Sequence, residues 1–166
     1  MRRLLIAALL LAPFSVFAAD QCKFSAPRNL QLDLSGVRAV QIDVHSYELH
    51  LNGSPGVTRG ELTGRACASD SALLDHLQVT QRREGDQLLI DIGGDNHFSW
   101  HMFGDSYTSL EVQLSLPTNL PVSVNVGSGD ADVSNVAQLE GRVGSGELHA
   151  RQIAGQLSAR DRKSVV

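Results

Sequence analysis

The sequence predicts a mostly β protein: an N-terminal β-rich segment continuing into a β-solenoid of 17–18-residue coils. Three observations predict it. Apolar and polar residues alternate in run after run, the mark of half-buried strands. Helical spacing is confined to one short stretch near 70–76. A Val-Gly-Ser-Gly-acid block recurs after 17 residues, first as Val126-Gly127-Ser128-Gly129-Asp130 and then as Val143-Gly144-Ser145-Gly146-Glu147. A fixed period of this kind marks stacked units that turn at the same corner.

The first 18 residues read as a secretory signal peptide. Arg2 and Arg3 are a basic start, residues 4–11 are apolar, and Val16-Phe17-Ala18 offers small residues for cleavage after Ala18. The apolar run is far shorter than the ~20 residues of a membrane span. Loss of Arg2 and Arg3 with the leader takes the net charge from −4 to −6. Only Lys23 and Lys163 are lysines. An acidic, lysine-poor exported chain is a poor partner for nucleic acid or anionic lipid. The expected location is the periplasm, the cell surface or the extracellular space.

Cys22 and Cys67 are the two cysteines. In an exported protein their first reading is a disulfide. Two free thiols or one intermolecular bridge are the alternatives.

The N-terminal part is placed at 19–121. Leu30, Leu32 and Leu34 alternate with polar residues, as do Val40, Ile42 and Val44, then Tyr47, Leu49 and Leu51. A turn cluster at 52–56 separates these from extended residues 57–67. Ser69 or Asp70 can cap a helix carrying Ala72, Leu73, Leu74 and Leu77 on one side. Residues 77–92 read as a β-hairpin turning at Glu84-Gly85-Asp86. A loop at 93–106 follows, then a strand at 107–116 and a turn at 117–121. Val122, Val124 and Val126 lead into the first glycine corner.

The solenoid coils are placed at 122–160. Val136 matches Ile153 and Ala137 matches Ala154 at offset 17, whereas Leu139 matches Leu157 and Arg142 matches Arg160 at offset 18. Gly127, Gly129, Gly144 and Gly146 allow either backbone torsions or close approaches that a Cβ would resist. The repeat fails at Asp161. Residues 161–166 match what a common sequencing-library adapter encodes in frame up to a stop, so this tail is expected to be non-native.

With these residues the chain resembles the bacterial exported putative-adhesin family of unknown function, whose members carry serial Gly-Ser-Gly-Asp corners on a β-solenoid. The matching segments are the leader, Gln21-Cys22-Lys23-Phe24, Gly64-Arg65-Ala66-Cys67-Ala68, Asn119-Leu120-Pro121-Val122 and the two corners. The resemblance covers nearly all of residues 1–160. It implies further coils, and so a C-terminally truncated member.

Two constellations can carry chemistry. His97, Phe98, Trp100, His101, Met102 and Phe103 form an aromatic loop suited to stacking on a glycan or docking an envelope or surface protein. The bland reading is a cap on the core. His97 and His101 are spaced for a metal only on a helix, and nothing completes a zinc set at motif spacing, so no metal or other cofactor is expected. Asp130 and Glu147 occupy equivalent repeat positions. Stacked carboxylates about 5 to 9.5 Å apart serve glycoside hydrolysis, but short acids at turns more simply accept backbone N–H groups. No nucleophile elbow, phosphate loop or dinucleotide fingerprint is present. The expected function is a non-enzymatic binding or adhesion scaffold, with a β-helix carbohydrate-active enzyme as the alternative.

Overall fold

The computed structural model describes residues 22–94 and 106–161. The expected leader, the aromatic loop at 97–103 and residues 162–166 lie outside them. The chain is mostly β, as expected, in two sheets.

Strands β1 (Phe24–Pro27), β2 (Leu30–Leu32), β3 (Ala39–Val44), β4 (Glu48–Ser54) and β5 (Gly60–Ala68) precede one helix, α1 (Ser71–His76). Asp70 takes the N-cap, its side chain accepting from the Ala72 N–H at 2.8 Å. The other end of α1 is held from outside. Arg28, between β1 and β2, donates to the carbonyls of Leu74 and Leu77. Strands β6 (Val79–Glu84) and β7 (Gln87–Ile92) form an antiparallel hairpin turning at Gly85. Beyond the loop come β8 (Thr108–Pro117), β9 (Pro121–Val126), β10 (Asp130–Ser134), β11 (Gln138–Val143), β12 (Glu147–Arg151) and β13 (Leu157–Asp161).

The first sheet runs β1-β5-β8-β4-β10-β12, with β2 also on β5, and the second runs β13-β11-β9-β3-β7-β6. Both are mixed and open, and the expected solenoid is not evident. The physical reason lies in the N-terminal part. There β1, β2 and β8 pair antiparallel with β5, and β6 pairs antiparallel with β7. The remaining pairs, β8–β4–β10–β12 and β7–β3–β9–β11–β13, are parallel. Strands β3 and β4 therefore pair directly with β9 and β10.

Alternation in each strand sends one set of side chains between the sheets. Val40, Ile42 and Val44 meet Leu49, Leu51, Ile90, Val112, Leu114, Val124 and Val133 in one cluster. Burial thins toward the last strands. Leu148 and Ala150 are only partly buried, and Leu157 is 52% exposed.

The parallel strands turn twice per repeat. One turn holds the glycine corner. The other places Asn135 and Gln152, 17 residues apart, in the left-handed region at φ 58° and 54°. Asparagine tolerates this conformation better than glutamine. We expect Gln152→Gly to raise unfolding stability by about 0.5–1 kcal/mol, read by urea denaturation; a loss would contradict the assignment.

One turn carries a perturbed acid. Asp33 Oδ1 accepts the Ser35 N–H at 3.0 Å. That bond, a second from the Ser35 side chain and the Arg83 charge hold its carboxyl below the ordinary aspartate value, against a small opposing effect of burial. A depressed folded pKa contributes stability above the unfolded value and loses it as pH falls through the folded one.

Candidate functional site: the polar face of the first sheet

Side chains that alternate away from the core form a grid on four neighbouring strands. Their registers align Glu111, Glu48, Asp130 and Glu147 in one row across β8, β4, β10 and β12. The next row is Gln113, His50, Asp132 and His149, and the third is Ser115, Asn52, Ser134 and Arg151. Adjacent strands lie about 4.7–4.9 Å apart. Like charges directly opposite each other are unfavourable at that spacing.

The second and third rows place imidazole and guanidinium nitrogens against these and neighbouring carboxylates. His50 Nε2 lies 2.9 Å from Glu48 Oε1, and His149 Nε2 lies 3.2 Å from Glu147 Oε2. Asp132 faces His50 Nδ1 at 3.5 Å through one oxygen and accepts from Arg151 Nη2 at 2.7 Å through the other. These pairs are solvent-exposed, so each contributes at most about 1 kcal/mol. Their chief effect is to hold donors and acceptors in fixed positions on a rigid sheet.

An open groove of about 760 Å³ lies over this grid. Thr63, Ser115 and Ser134 are short and leave the depression; Glu61, Glu111 and Arg151 are long and border it. It offers carboxylate acceptors, amide and hydroxyl groups and one guanidinium. That chemistry suits a ligand rich in hydroxyl groups.

The sequence-predicted residues fall as follows. Asp130 and Glu147 are brought side by side, and Asp130 Oδ1 accepts the Glu147 N–H at 3.1 Å. They do not line the groove. Cys22 and Cys67 form a disulfide between the start of the described chain and β5. Among the described residues, no group of three or more His, Cys, Asp or Glu is placed to hold a metal ion.

The glycines resolve into one of their two readings. None of Gly127, Gly129, Gly144 and Gly146 has a positive φ, so close approach is what requires them. Gly127 N–H donates to Val44 O, Ser128 and Gly129 N–H to His45 O, and Asp130 N–H to Tyr47 O. Residues 144–147 repeat this pattern on Val126 O, Gly127 O and Gly129 O.

The residues that sequence reasoning missed are His50, Asp132, His149 and Arg151. A signal was present: Glu48-Leu49-His50-Leu51-Asn52 and Glu147-Leu148-His149-Ala150-Arg151 share both alternation and chemistry. The histidines look scattered until the register puts Asp132 between them.

No family model matches the chain, and no curated protein matches it. Solved structures do resemble it. One is a putative cell adhesion protein from Clostridium sporogenes, 8% identical, covering 84% of this chain and 100% of that one, with a TM-score of 0.43. A second is a putative lipid binding protein from Parabacteroides distasonis, 16% identical, covering 81% and 62%, with a TM-score of 0.41. A third is a putative adhesin from Bacteroides fragilis, 8% identical, covering 83% and 98%, with a TM-score of 0.32. Likenesses at these values carry no property over to this chain.

Proposed function

We propose that the chain is an exported, non-enzymatic binding scaffold of the cell envelope or surface, and that its polar sheet face takes a hydroxyl-rich ligand of the glycan class. The groove over Ser115 and Ser134 carries this reading. Its donors and acceptors are held by paired strands, by the Arg151–Asp132 ion pair and by the His50 contacts to Glu48 and Asp132, so little ordering is needed on binding. The disulfide favours an oxidising compartment. No helix among the described residues is long and apolar enough to cross a membrane. In this proposal residues 1–18 direct export, and the parallel strand pairs are the first coils of a solenoid. The aromatic segment at 97–103 is a second contact.

A glycan array tests the reading. The chain is expected to bind a defined subset, and Asp132→Ala with Arg151→Ala to weaken that binding by about tenfold, or roughly 1.4 kcal/mol. Unchanged binding in the double variant would remove the groove from the proposal. Polysaccharide turnover lost on Asp130→Asn or Glu147→Gln would replace the scaffold with an enzyme.

A further inference from the structure

Resting on the glycan reading above, we infer that the groove on the first sheet is a trough for a linear, neutral, β-1,4-linked glycan that lies across the strands rather than along them.

The lining sets the direction. Its residues come from β5, β8, β4, β10 and β12, which are consecutive strands of the sheet. The strands that carry Glu61 and Arg151, at its two ends, therefore stand about 19 Å apart. Along the strands the trough is narrow. On β5, β4 and β10 the lining spans two residue steps, about 7 Å, and only on β8 does it extend further, from Glu111 to Ser115. A compact ligand, or a peptide laid parallel to the strands, would leave most of the length empty.

The spacing sets the occupant. Strands about 4.7–4.9 Å apart advance by close to the rise of one pyranose in an extended chain. The floor offers one short polar group per strand: Ser115 on β8, Asn52 on β4 and Ser134 on β10 share a row. Ser134 Oγ lies 3.1 Å from Asn52 Oδ1, and Ser115 Oγ lies 3.3 Å from Ser54 Oγ, so these groups are held in place. One sugar can sit over each strand. The grid also repeats every second strand. Glu48 and His50 on β4 recur as Glu147 and His149 on β12, with Asp130 and Asp132 between them. In an extended β-1,4-linked ribbon successive units face opposite ways, so equivalent hydroxyls recur every second unit. The two periods coincide. An α-1,4-linked chain coils and has no such match.

Charge excludes polyanions. Glu61, Glu111 and Asp132 line the trough against one guanidinium, Arg151, which already donates to Asp132 at 2.7 Å. A polyuronate would set a carboxylate of every unit against these acids. Among the described residues no Trp, Tyr or Phe lines the trough. Recognition therefore rests on hydroxyl hydrogen bonds made one sugar at a time, and affinity accumulates with chain length.

Calorimetric titration of the full chain with β-1,4-linked oligomers of glucose and of N-acetylglucosamine tests this. In at least one series the tetramer is expected to bind at least about tenfold tighter than the dimer, with little further gain in the hexamer because four units fill the trough. An α-1,4-linked glucose hexamer and a galacturonate hexamer are expected to bind at least about tenfold weaker. Glu61→Ala and Arg151→Ala, at exposed positions at opposite ends, should each weaken the β-linked hexamer by about threefold to tenfold. Affinity independent of chain length, loss on Arg151→Ala but not on Glu61→Ala, or preference for the α-linked or uronate hexamer would each overturn the proposal and leave a glycan groove in place. Binding to neither β-linked series would overturn it as well. Array hits of another kind, lost on Asp132→Ala with Arg151→Ala, would then keep the broader reading, whereas an array without hits would end both.

Discussion

Gly129→Ala is expected to cost about 3–5 kcal/mol of unfolding free energy, at the severe end for a single methyl group. Its Cβ would stand 2.0 Å from Tyr47 O and 2.5 Å from Tyr47 N. Both are backbone atoms of the corner beneath, so no side chain can move aside. Relief requires the two corners to separate. That breaks the Gly129 and Asp130 N–H bonds to His45 O and Tyr47 O and shifts β10 on β4. Separation also displaces Gly129 O, which accepts from Glu147 N–H above. With total stabilities of about 5–15 kcal/mol in ordinary domains, this is a large share.

Two controls make the result specific. Ser128→Ala, at an exposed position of the same corner, should stay within about 0.5 kcal/mol of the parent. Gly146→Ala sets its Cβ against the Gly129 backbone, 1.6 Å from Gly129 O, near the thinly buried end of the sheet. It is expected to lower amide protection in β12 while leaving β3, β4 and β9 intact, since local opening precedes global unfolding at a weakly buried end. Urea denaturation with hydrogen exchange separates the three. A Gly129→Ala chain within about 1 kcal/mol of the parent would show that the corners yield easily.

The same corners explain what the sequence could and could not disclose. Alternation alone places β3, β4, β8 and β9, because a strand with one buried face must repeat every two residues. The hairpin at β6 and β7 and the cap at Asp70 are local, and local chemistry is readable. The pairing of Val40 with Val122 or of Leu49 with Ala131 joins residues more than eighty positions apart. No short-range signal encodes it. The first of these corners, His45-Ser46-Tyr47, escapes notice because it supports Gly127–Gly129 without a glycine of its own. A search for Gly-Ser-Gly finds only the corners that arrive on top of another.

The polar grid was hidden in the same way. His50, Asp132 and His149 lie on strands distant in sequence, and only the parallel register makes them neighbours. The extended residues 57–67 are legible as a strand, but not that β5 pairs antiparallel with β1, β2 and β8 and so makes the N-terminal end a mixed sheet.

That N-terminal end depends on one covalent link. Replacing both Cys22 and Cys67 with serine is expected to cost about 3–4 kcal/mol. The bond closes a separation of 45 residues, for which the chain-entropy model gives about 4 kcal/mol. The non-covalent hold on β1 is slight: the strand has four residues, three of them exposed and none buried. Arg28 adds donors to the helix carbonyls of Leu74 and Leu77 but spans only the loop after β1. With the bond absent, β1 should fray from β5, and Arg28 should lose its fixed approach to α1. Urea unfolding with and without reductant measures this. Reductant should lower the midpoint of the parent and leave the double variant unmoved, because the variant has no bond to lose. A parent insensitive to reductant, or a variant as stable as the parent, would mean that β1 is held by its ladder alone.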